Sequence, residues 1–566
     1  MSATPTPKAR RVPGTKLPCF VFDSPTELAR HVARMLAAII RERNELGQNA
    51  VLGLPTGSTP TGMYRELVRL HREEGLDFSH VVTFNLDEYF GLDADQIQSF
   101  NRWMHEQFFK HVNVRPENIH IPQGHIPREK VAEHCSAYEQ QIAMAGGLDV
   151  VVLGIGRNGH IGFNEPFSPR NSRTRLCTLD PVTRRAAASD FFHQDNVPTH
   201  AITMGLGTIL SARKVLLLAL GEHKAGIIKQ TVEGTVTDRV PASFLQDHGD
   251  ATVLVDAAAA QDLTACVTPW LVGQVEWTDA LIKRAVLSVC QKTGKACLKL
   301  TDDDFREHNL HELLRDHGPA ERLAQRVFGW MLDTVNYHPA GKEPKRVICF
   351  SPHPDDDVIS MGGTLIRLNQ DGHEVHVAYM TSGNIAVFDQ DAHRVADFVN
   401  EYNRIFGIET EKSNRLEHEV KDSFLRKQPG QPDIDAVLKI KGLIRWSEAK
   451  YGAYVAGCKE EHLHFLDLPF YRTGTIAKRP IGPEDVAIIR ELIETVRPEQ
   501  IYVAGDLSDP HGTHRVCAEA IFRALKEIEA ATGAIPEVLL YRGAWQEYEL
   551  HEIEIAVPLS PSDIRR

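Results

Sequence analysis

The sequence predicts an α/β protein made of two layered α/β domains with largely parallel sheets, joined by a helical connector. Three observations lead to this fold class. The chain has 566 residues, which is more than one ordinary hydrophobic core organises. Apolar strand-like runs alternate with helical stretches over residues 18–256, and the same rhythm restarts after residue 344. The residues between these two parts have helical periodicity and few strand-like runs.

The domain boundaries follow from these changes of pattern. We assign residues 1–17 to a flexible tail, 18–256 to the first domain, 257–343 to the helical connector and 344–566 to the second domain. The tail carries basic residues but no apolar segment behind them, so it is not expected to be a secretory signal. The connector ends in a stretch with the Pro and Gly content of a linker.

Individual elements are predicted from the period of the apolar residues. In the first domain, strands are expected at Ala50–Leu54, Val81–Asn85, Val150–Leu153 and 215–220, and a helix at 63–74. The connector is expected to contain helices at 279–291 and 319–336. In the second domain, strands are expected at 346–350, 374–380 and 501–504, and a helix at 364–370. In both domains the polar motifs directly follow strands, where open α/β sheets bind ligands.

Composition excludes several functional classes. Hydrophobic residues make up 42% and charged residues 25% of the chain, as in globular proteins. The net charge of −13 and the lack of an aromatic and basic patch argue against a nucleic-acid partner. No apolar run reaches the roughly 18 residues of a membrane span. Nine scattered cysteines without a C-x-x-C pair indicate free thiols in a reducing cytoplasm. We therefore expect a cytoplasmic protein that acts on small molecules.

A glycine- and hydroxyl-rich loop follows the first strong strand, in the stretch Leu54-Pro55-Thr56-Gly57-Ser58-Thr59-Pro60-Thr61-Gly62. Gly57 lets the backbone turn freely. Ser58 and Thr59 supply hydroxyl and N–H groups near a helix N-terminus, which favours an anion such as a phosphate. The alternative is an ordinary turn with a helix cap.

Two further motifs bring acids and an imidazole to strand ends. Asp87 and Glu88 follow the strand Val81–Asn85 and suit a base with its support, or alternatively a capping pair. His160 and Glu165 lie in a loop with four glycines and suit an oriented imidazole–carboxylate pair. A structural histidine is the alternative for this loop.

In order along about the first 255 residues, these blocks resemble glucosamine-6-phosphate deaminase of the aldose–ketose isomerase type. The blocks are LPTGSTP, FNLDEY, GIGRNGHIGFNEP, SRTR and LGEHKA. The resemblance implies a Rossmann-like domain in which Asp87 moves a proton from C2 to C1 and His160, supported by Glu165, opens the pyranose ring. It implies that the Gly57–Thr59 turn and Lys224 hold the phosphate, that the products are fructose 6-phosphate and ammonia, and that no cofactor takes part.

The chain departs from that family at positions of consequence. Asn158 stands where the family has an aspartate, so it can orient His160 by a hydrogen bond but adds no charge. Asp190 stands where the mobile lid has an arginine, and its carboxylate would repel a phosphate. Cys177 replaces the allosteric lysine, so activation by N-acetylglucosamine 6-phosphate is not expected. The alternatives are a domain that binds a sugar phosphate only to regulate its neighbour, or one that acts on a different amino-sugar phosphate.

The second half carries a metal-type pattern in two pieces. The first is Ser351-Pro352-His353-Pro354-Asp355-Asp356-Asp357 and the second is Asp509-Pro510-His511-Gly512-Thr513-His514. Each follows a strand, and together they supply imidazole and carboxylate ligands for three positions on a divalent ion, with one left open for water. A turn closed by an aspartate side chain is the alternative for the first piece taken alone.

These pieces resemble the zinc-dependent deacetylases that include the N-acetylglucosaminylphosphatidylinositol deacetylases, over roughly residues 345–550. The resemblance implies a second Rossmann-like domain in which His353, Asp356 and His514 bind zinc or another divalent metal. It implies Asp355 as the general base and His511 as the electrophile or proton donor. Arg445 either binds an anionic part of the substrate or forms a salt bridge with Glu448.

The fusion suggests consecutive steps on one amino-sugar phosphate. N-acetylglucosamine 6-phosphate would lose acetate in the second domain, and the first domain would deaminate and isomerise the glucosamine 6-phosphate formed. The chain is thus expected to be a bifunctional enzyme of amino-sugar phosphate catabolism. The related deaminases form symmetric oligomers, so a homo-oligomer is one option for the assembly, which the added C-terminal domain could block.

Overall fold

A computed structural model describes residues 9–188, 191, 194–408, 410–427, 431–474, 478–507, 512–544 and 546–565. The chain forms two compact units, Met1–Val275 and Glu276–Arg566. The division falls inside the predicted connector, so that its residues up to 275 belong to the first unit and both of its predicted helices belong to the second. In the described part of the chain, no helix has both the length and the apolar character that a membrane crossing needs.

The first unit contains a large sheet, a small sheet and flanking helices. Its strands are β1 (Arg10–Arg11), β2 (Cys19–Phe22), β3 (Ala50–Leu54), β4 (Val81–Asn85), β5 (Asp87–Tyr89), β6 (Ile119–His120), β7 (Val150–Leu153), β8 (Arg175–Thr178), β9 (His200–Thr203), β10 (Lys214–Ala219) and β11 (Ala251–Asp256). Its helices are α1 (Pro25–Glu45), α2 (Thr61–Glu74), α3 (Phe100–Gln107), α4 (Val131–Met144), α5 (Pro181–Ala187), α6 (Leu206–Ile209), α7 (Ala225–Val232), α8 (Ala257–Ala260) and α9 (Thr264–Val267). The strands and the helix predicted for this part are confirmed, with β10 displaced by one residue and α2 beginning two residues earlier than predicted.

The strand order of the large sheet creates a crevice beside β3. The order is β1-β2-β11-β10-β7-β3-β4-β6, and neighbours are parallel except β1 and β2. From β3 the chain runs outward to β4 on one side, whereas β7 and β10 lie on the other. Such a reversal leaves a ligand-binding gap at the carboxyl ends of the two central strands. The loops after β3 and β7 carry Ser58 and His160, respectively.

Apolar residues cover both faces of this sheet. Alternate side chains of a strand point to opposite faces, so Val51 and Val151 lie in one buried cluster and Leu52 and Val152 in the other. Strands that are buried on both faces need continuous apolar runs, which is why β3 and β7 show no polar alternation. The largely parallel layered fold predicted from the sequence is confirmed.

Two features of the first unit differ from expectation. The small sheet β5-β9-β8 is antiparallel, whereas the sequence predicts only a largely parallel sheet. In it Asp87 lies opposite Thr203. The strand β1 pairs with β2, so the described end of the predicted tail is part of the large sheet.

The second unit begins with helices and continues as a parallel sheet covered on both faces. Its strands are β12 (Arg346–Ser351), β13 (Glu374–Tyr379), β14 (Leu463–Phe465), β15 (Gln500–Ala504) and β16 (Glu537–Tyr541). Its helices are α10 (Asp279–Thr293), α11 (Asp302–Glu307), α12 (His311–His317), α13 (Ala320–Thr334), α14 (Asp356–Gln370), α15 (Asp389–Phe406), α16 (Thr410–Arg426), α17 (Asp435–Val455), α18 (Pro483–Val496), α19 (Thr513–Thr532) and α20 (Pro561–Ile564).

This sheet also has a reversal of strand order at its centre. The order is β14-β13-β12-β15-β16, with parallel neighbours throughout. From β12 the chain runs to β13 and β14 on one side, and β15 and β16 lie on the other. The gap therefore opens at the carboxyl ends of β12 and β15. The segments after these strands lead to His353 and His514.

The acidic motif after β12 is partly helical. The helix α14 begins at Asp356, well before the predicted start at residue 364, so Asp356 and Asp357 belong to its first turn. Carboxylates in a first turn interact favourably with the positive end of the helix dipole. The sequence prediction of a loop over the whole motif is therefore wrong from Asp356 onward.

Candidate active sites

Asp87 is buried in the first unit, and its carboxylate faces Gly162. The residue is 7% exposed, and a Cβ placed on Gly162 would lie 3.4 Å from Asp87 Oδ2. Gly162 has a φ of +55°, a conformation that favours glycine. Burial, and after it the charge of Glu88, raises the pKa of Asp87 to about 8. Such a carboxylate is a stronger base than an ordinary aspartate and suits proton transfer near neutral pH.

The neighbouring Glu88 caps a helix. Its carboxylate accepts a hydrogen bond from the Ser99 hydroxyl at 2.8 Å and from three backbone N–H groups at 2.9–3.0 Å. Ser99 is the N-cap of α3, so Glu88 satisfies donors at the start of that helix. The capping alternative therefore applies to Glu88, and Asp87 remains available for chemistry.

Oxygen atoms surround one nitrogen of His160. The distances from Nδ1 are 2.8 Å to Asn158 Oδ1, 3.2 Å to Thr183 Oγ1 and 3.3 Å to Glu165 Oε2. Because Asn158 Oδ1 and Glu165 are acceptors, they favour the neutral tautomer with the proton on Nδ1 and the lone pair on Nε2. The ring packs directly on Gly156, where a Cβ would lie 2.1 Å from His160 Cε1. The loop thus holds His160 in one orientation and one tautomer.

Asn158 stands where the resemblance implies an aspartate, and it joins two groups of the site. Its amide oxygen lies on His160, and its amide nitrogen donates to Glu165 at 2.7 Å. Burial acts to raise the pKa of Glu165, but the hydrogen bond and charge of His160 outweigh burial and hold that pKa below its ordinary value. The negative charge beside His160 is therefore supplied by Glu165.

The turn after β3 is shaped to receive an anion. Gly57 has a φ of +118°, and its carbonyl accepts a hydrogen bond from Thr61 Oγ1 at 3.0 Å. Ser58 is exposed and Thr59 is half-buried. The N-cap of α2 is Pro60, which makes no side-chain capping bond. The turn that was the alternative interpretation of this loop is therefore present, but no side chain caps the helix. The N-terminus of α2 remains available to a ligand.

Lys224 lies at the same edge of the sheet, after β10. Its Nζ donates to the carbonyl of Ile155 in the loop after β7, at 2.6 Å. Burial, and after it the charge of Arg157, lowers the pKa of Lys224 to about 8. A bound phosphate would counteract both effects, because an opposite charge favours the protonated amine.

In the second unit, His353, Asp356 and His514 converge on one point. Asp356 Oδ2 lies 3.1 Å from His353 Nδ1 and 3.1 Å from His514 Nε2, and the two ring nitrogens are 3.3 Å apart. His514 is fully buried and Asp356 is 4% exposed. Burial acts to raise the pKa of Asp356, but hydrogen bonds and charges from both histidines outweigh burial and hold that pKa far below its ordinary range.

These three residues fit a divalent transition metal. Ligand atoms around a tetrahedral zinc ion are about 3.3 Å apart, given metal–ligand bonds of about 2.0–2.1 Å, and the separations in the cluster are 3.1–3.3 Å. Two imidazoles and one carboxylate form a donor set that zinc accepts in catalytic sites. Asp356 Oδ2 also accepts a hydrogen bond from the backbone N–H of His353 at 2.9 Å. The turn closed by an aspartate side chain, which was the alternative for this motif, is therefore present together with the cluster.

Asp355 and Arg445 form an ion pair beside this cluster. Arg445 lies on α17, and its guanidinium is 2.8 Å from Asp355 Oδ2 and 3.3 Å from Glu448 Oε2. The Asp355 side chain is 39% exposed, whereas that of Arg445 is 18% exposed. The same guanidinium thus forms the expected salt bridge with Glu448 and also reaches a residue next to the cluster.

Asp357 turns away from the cluster into the core. It accepts hydrogen bonds from Tyr379 at 2.9 Å and Ser351 at 3.2 Å, and its backbone N–H donates to Ser351 at 3.1 Å. Burial raises the pKa of Asp357 to about 6. These contacts anchor the first turn of α14 to β12 and β13, and so fix the position of Asp356.

Two predicted residues lie outside the described part of the chain, namely His511 and Asp190. Sequence reasoning also missed contacts that the structure reveals. Thr183, from a segment without a motif, contacts His160. Arg157 belongs to the block GIGRNGHIGFNEP, where no role was predicted for it, and its charge helps to lower the pKa of Lys224. The ring of Tyr471 lies 6.4 Å from that of His353.

Two family models match the chain, one in each unit. The model described as glucosamine-6-phosphate isomerases/6-phosphogluconolactonase matches residues 23–254. The model described as GlcNAc-PI de-N-acetylase matches residues 348–525. The first match includes the Asp87 and His160 sites, and the second includes the His353 cluster.

A glucosamine-6-phosphate deaminase-like protein of Bacteroides thetaiotaomicron is 45% identical over 569 residues, which cover 97% of this chain and 86% of that protein. The chain belongs to the glucosamine-6-phosphate deaminase family. Within the family, glucosamine-6-phosphate deaminase 2 of Bacillus subtilis is 50% identical over 235 residues, or 41% of this chain and 93% of that protein. The solved structure of a monomeric glucosamine-6-phosphate deaminase has 43% identity and a TM-score of 0.42, covering 43% of this chain and 99% of that one.

The resemblance to these two families, which the sequence motifs indicate, is thereby confirmed. This member of the glucosamine-6-phosphate deaminase family carries a GlcNAc-PI de-N-acetylase domain in its C-terminal part. The match to the Bacteroides relative spans both units, whereas the match to the Bacillus relative has the length of the first alone. The two domains together support an enzyme of amino-sugar metabolism.

Proposed function

We propose that the first unit converts glucosamine 6-phosphate to fructose 6-phosphate and ammonia, and that the second removes the acetyl group of N-acetylglucosamine 6-phosphate. One observation carries the proposal: each unit has its own convergent imidazole and carboxylate groups at the strand-order reversal of its own parallel sheet. The family supports the first reaction, and the GlcNAc-PI de-N-acetylase domain supports amide hydrolysis in the second.

In the first unit, His160 and Asp87 divide the proton transfers. His160 Nε2 carries a lone pair, takes the proton of the C1 hydroxyl and passes it to the ring oxygen as the bond between that oxygen and C1 breaks. Glu165 stabilises the imidazolium that forms, 3.3 Å from Nδ1. Asp87, as the carboxylate, then removes the C2 proton and returns it to C1, while a proton of the amine passes to O1, so that an imine forms at C2. Water adds to this imine, and ammonia leaves as the ketone of fructose 6-phosphate forms.

The phosphate of the sugar is held at the end of the site formed by the turn after β3. Gly57, Ser58 and Thr59 offer backbone N–H and hydroxyl groups at the start of α2. Lys224 adds a positive charge from the loop after β10, and the nearby Arg157 increases the attraction. Fixing the phosphate positions C1 and C2 against Asp87.

In the second unit, we propose that His353, Asp356 and His514 hold a divalent ion, zinc in the first instance. Such an ion supplies Lewis acidity, which makes water more acidic and polarises an amide carbonyl. Asp355 takes the proton of the attacking water, since it lies beside the cluster and is not one of the three ligands. His511 is proposed to donate a proton to the leaving amine.

Arg445 is proposed to bind the phosphate of the acetylated sugar. Its guanidinium already pairs with Asp355, so it lies next to the reacting groups. The planar fork of arginine suits a phosphate, and only part of it is used by Asp355 and Glu448. A substrate held in this way would bring its acetamide to the cluster.

The test uses the full-length, zinc-loaded protein, with acetate and ammonia measured separately. Asp355→Asn is expected to lower acetate release from N-acetylglucosamine 6-phosphate by at least about 100-fold and to leave ammonia release from glucosamine 6-phosphate unchanged. Asp87→Asn is expected to do the reverse. The two sites would not be independent if either substitution abolished both activities.

Matched controls separate chemistry from charge. Glu448→Gln removes an outer carboxylate that pairs with Arg445 and should retain acetate release. Asp93→Asn removes an exposed carboxylate of the first unit, whose partner is His125, and should retain ammonia release. Binding of glucosamine 6-phosphate without turnover in the unmodified protein would instead support the alternative of a regulatory first unit.

A further inference from the structure

A second cluster of possible metal ligands lies in the second unit, apart from the His353 cluster. It consists of Glu374, His376 and His462, whose ligand atoms lie within 4.8 Å of one another. A fourth residue, His464, contacts it, because His464 Nε2 is 2.9 Å from His376 Nδ1. No step of the proposed reactions uses any of these side chains.

The strand register explains why these residues meet. In β13, Glu374 and His376 are two residues apart and therefore point to the same face of the sheet. The neighbouring strand β14 pairs Leu463 with Val377, so His462 lies beside His376, and His464 follows two residues later on that face. The local sequences Glu-Val-His and His-Leu-His thus build one cluster from β13 and from β14 with His462, the residue directly before it.

The cluster lies away from the proposed catalytic edge. Glu374 is the first residue of β13 and pairs with Arg346 at the start of β12, whereas the His353 cluster follows the last residue of β12. With a rise of about 3.3 Å per residue, the two ends of these six-residue strands are roughly 16 Å apart. The two clusters therefore cannot share one ion.

The contacts define a role for each residue. His376 Nε2 is 3.0 Å from Glu374 Oε1, which is close to the spacing of two ligands on one ion. The rings of His376 and His462 stack with centroids 4.2 Å apart. His464 faces the other nitrogen of His376, the position from which a second residue usually holds a ligating imidazole in place. Glu374 is exposed, so an ion can enter from solvent.

We propose that Glu374, His376 and His462 bind a second divalent transition-metal ion, such as Zn²⁺, with His464 as the residue that orients His376. Imidazole nitrogens with one carboxylate suit zinc, cobalt or nickel better than magnesium or calcium, which prefer oxygen ligands. The ion would fasten the edge strand β14 to β13. The chain after β14 leads to Tyr471 beside His353, so the clamp would also support that side of the catalytic cluster.

The experiment measures metal content of the full-length protein after chelation and dialysis against Zn²⁺. The unmodified chain should bind two zinc ions, Asp356→Asn should bind one, and Asp356→Asn combined with Glu374→Gln and His462→Gln should bind none. Asp356→Asn protein that holds no zinc, or that keeps its zinc after the added substitutions, overturns the proposal.

Controls cover specificity and folding. His393→Gln removes a surface histidine that also pairs with a carboxylate, Asp397, and should leave zinc content unchanged. His464→Gln should weaken zinc binding in the Asp356→Asn background by roughly 10- to 100-fold. In Asp356→Asn protein with His464 intact, Zn²⁺ should raise the unfolding temperature of the second unit. Adding His462→Gln should remove this rise and leave the unfolding temperature of the metal-free protein unchanged. An equal rise with and without His462 would contradict the assignment.

Discussion

Asp87→Asn is predicted to stabilise the first unit while it abolishes deamination. A pKa raised from 3.8 to about 8 means that the folded state holds the proton over a range in which the unfolded state has lost it. Stability from this group is therefore full below pH 3.8 and is lost as the pH rises toward 8. The free energy of unfolding that is lost in full amounts to roughly 6 kcal/mol, at about 1.4 kcal/mol for each unit of pKa difference. Asparagine does not ionise and avoids this loss.

The expected gain therefore depends on pH. At pH 8.5 the variant should be more stable than the unmodified protein by up to roughly 6 kcal/mol, whereas at pH 4.5 the difference should be about 1 kcal/mol. Native-state hydrogen exchange of peptides from β3 and β7 measures this in the full-length chain, because each 1.4 kcal/mol slows global exchange by about tenfold. Peptides from β12 and β15 in the second unit serve as the internal control and should not change.

Asp149 supplies the matched substitution. It is also buried in the first unit, but it pairs with Arg43 and Arg213 and accepts the N–H of Val51 at 2.9 Å. Asp149→Asn should therefore destabilise the unit by about 3 kcal/mol, since it leaves buried partners uncompensated. A loss of stability in Asp87→Asn at pH 8.5, or an equal change at both pH values, would refute the reasoning about Asp87.

Three further predictions concern the pH profile and the anion sites. For deamination, kcat/KM should rise toward pH 8 as Asp87 ionises and fall above pH 8 as Lys224 loses its proton, which initial-rate measurements from pH 6 to 10 would show. Arg157→Gln should raise the pKa of Lys224 and move the alkaline limb to higher pH; an unmoved limb would exclude Lys224 as its cause. Arg445→Gln should raise KM for N-acetylglucosamine 6-phosphate about 10- to 100-fold in steady-state assays, and an equal rise for unphosphorylated N-acetylglucosamine would argue against phosphate binding.

The sequence was sufficient to place the candidate residues after strands but not to give the contacts among them. Strands followed directly by Gly57, His160 and His353 could be recognised from apolar runs, and the gaps beside β3 and β12 follow from the parallel topology. The convergence of His353 with His514 was likewise expected from two motifs that each follow a strand. The distance of 3.3 Å between their ring nitrogens, however, depends on the order of the strands in the sheet. The separation of the two motifs along the chain does not reveal that order.

Other features depend on tertiary contacts that carry no local signal. Glu88 could not be distinguished from Asp87 in sequence, because its capping role requires α3 to fold back over β5. The start of α14 at Asp356 was missed, since an acidic run after prolines is typical of loops. The cluster at His376 was missed because His462 is distant in sequence, and only the pairing of β13 with β14 brings them together.

The most direct test of two consecutive sites is a single time course on the unmodified, zinc-loaded chain supplied with N-acetylglucosamine 6-phosphate. Nuclear magnetic resonance can follow the sugar and acetate, while an enzymatic assay follows ammonia. The account predicts acetate, ammonia and fructose 6-phosphate in equal final amounts, with glucosamine 6-phosphate appearing only in between. Absence of acetate from a protein that still releases ammonia from added glucosamine 6-phosphate would contradict it.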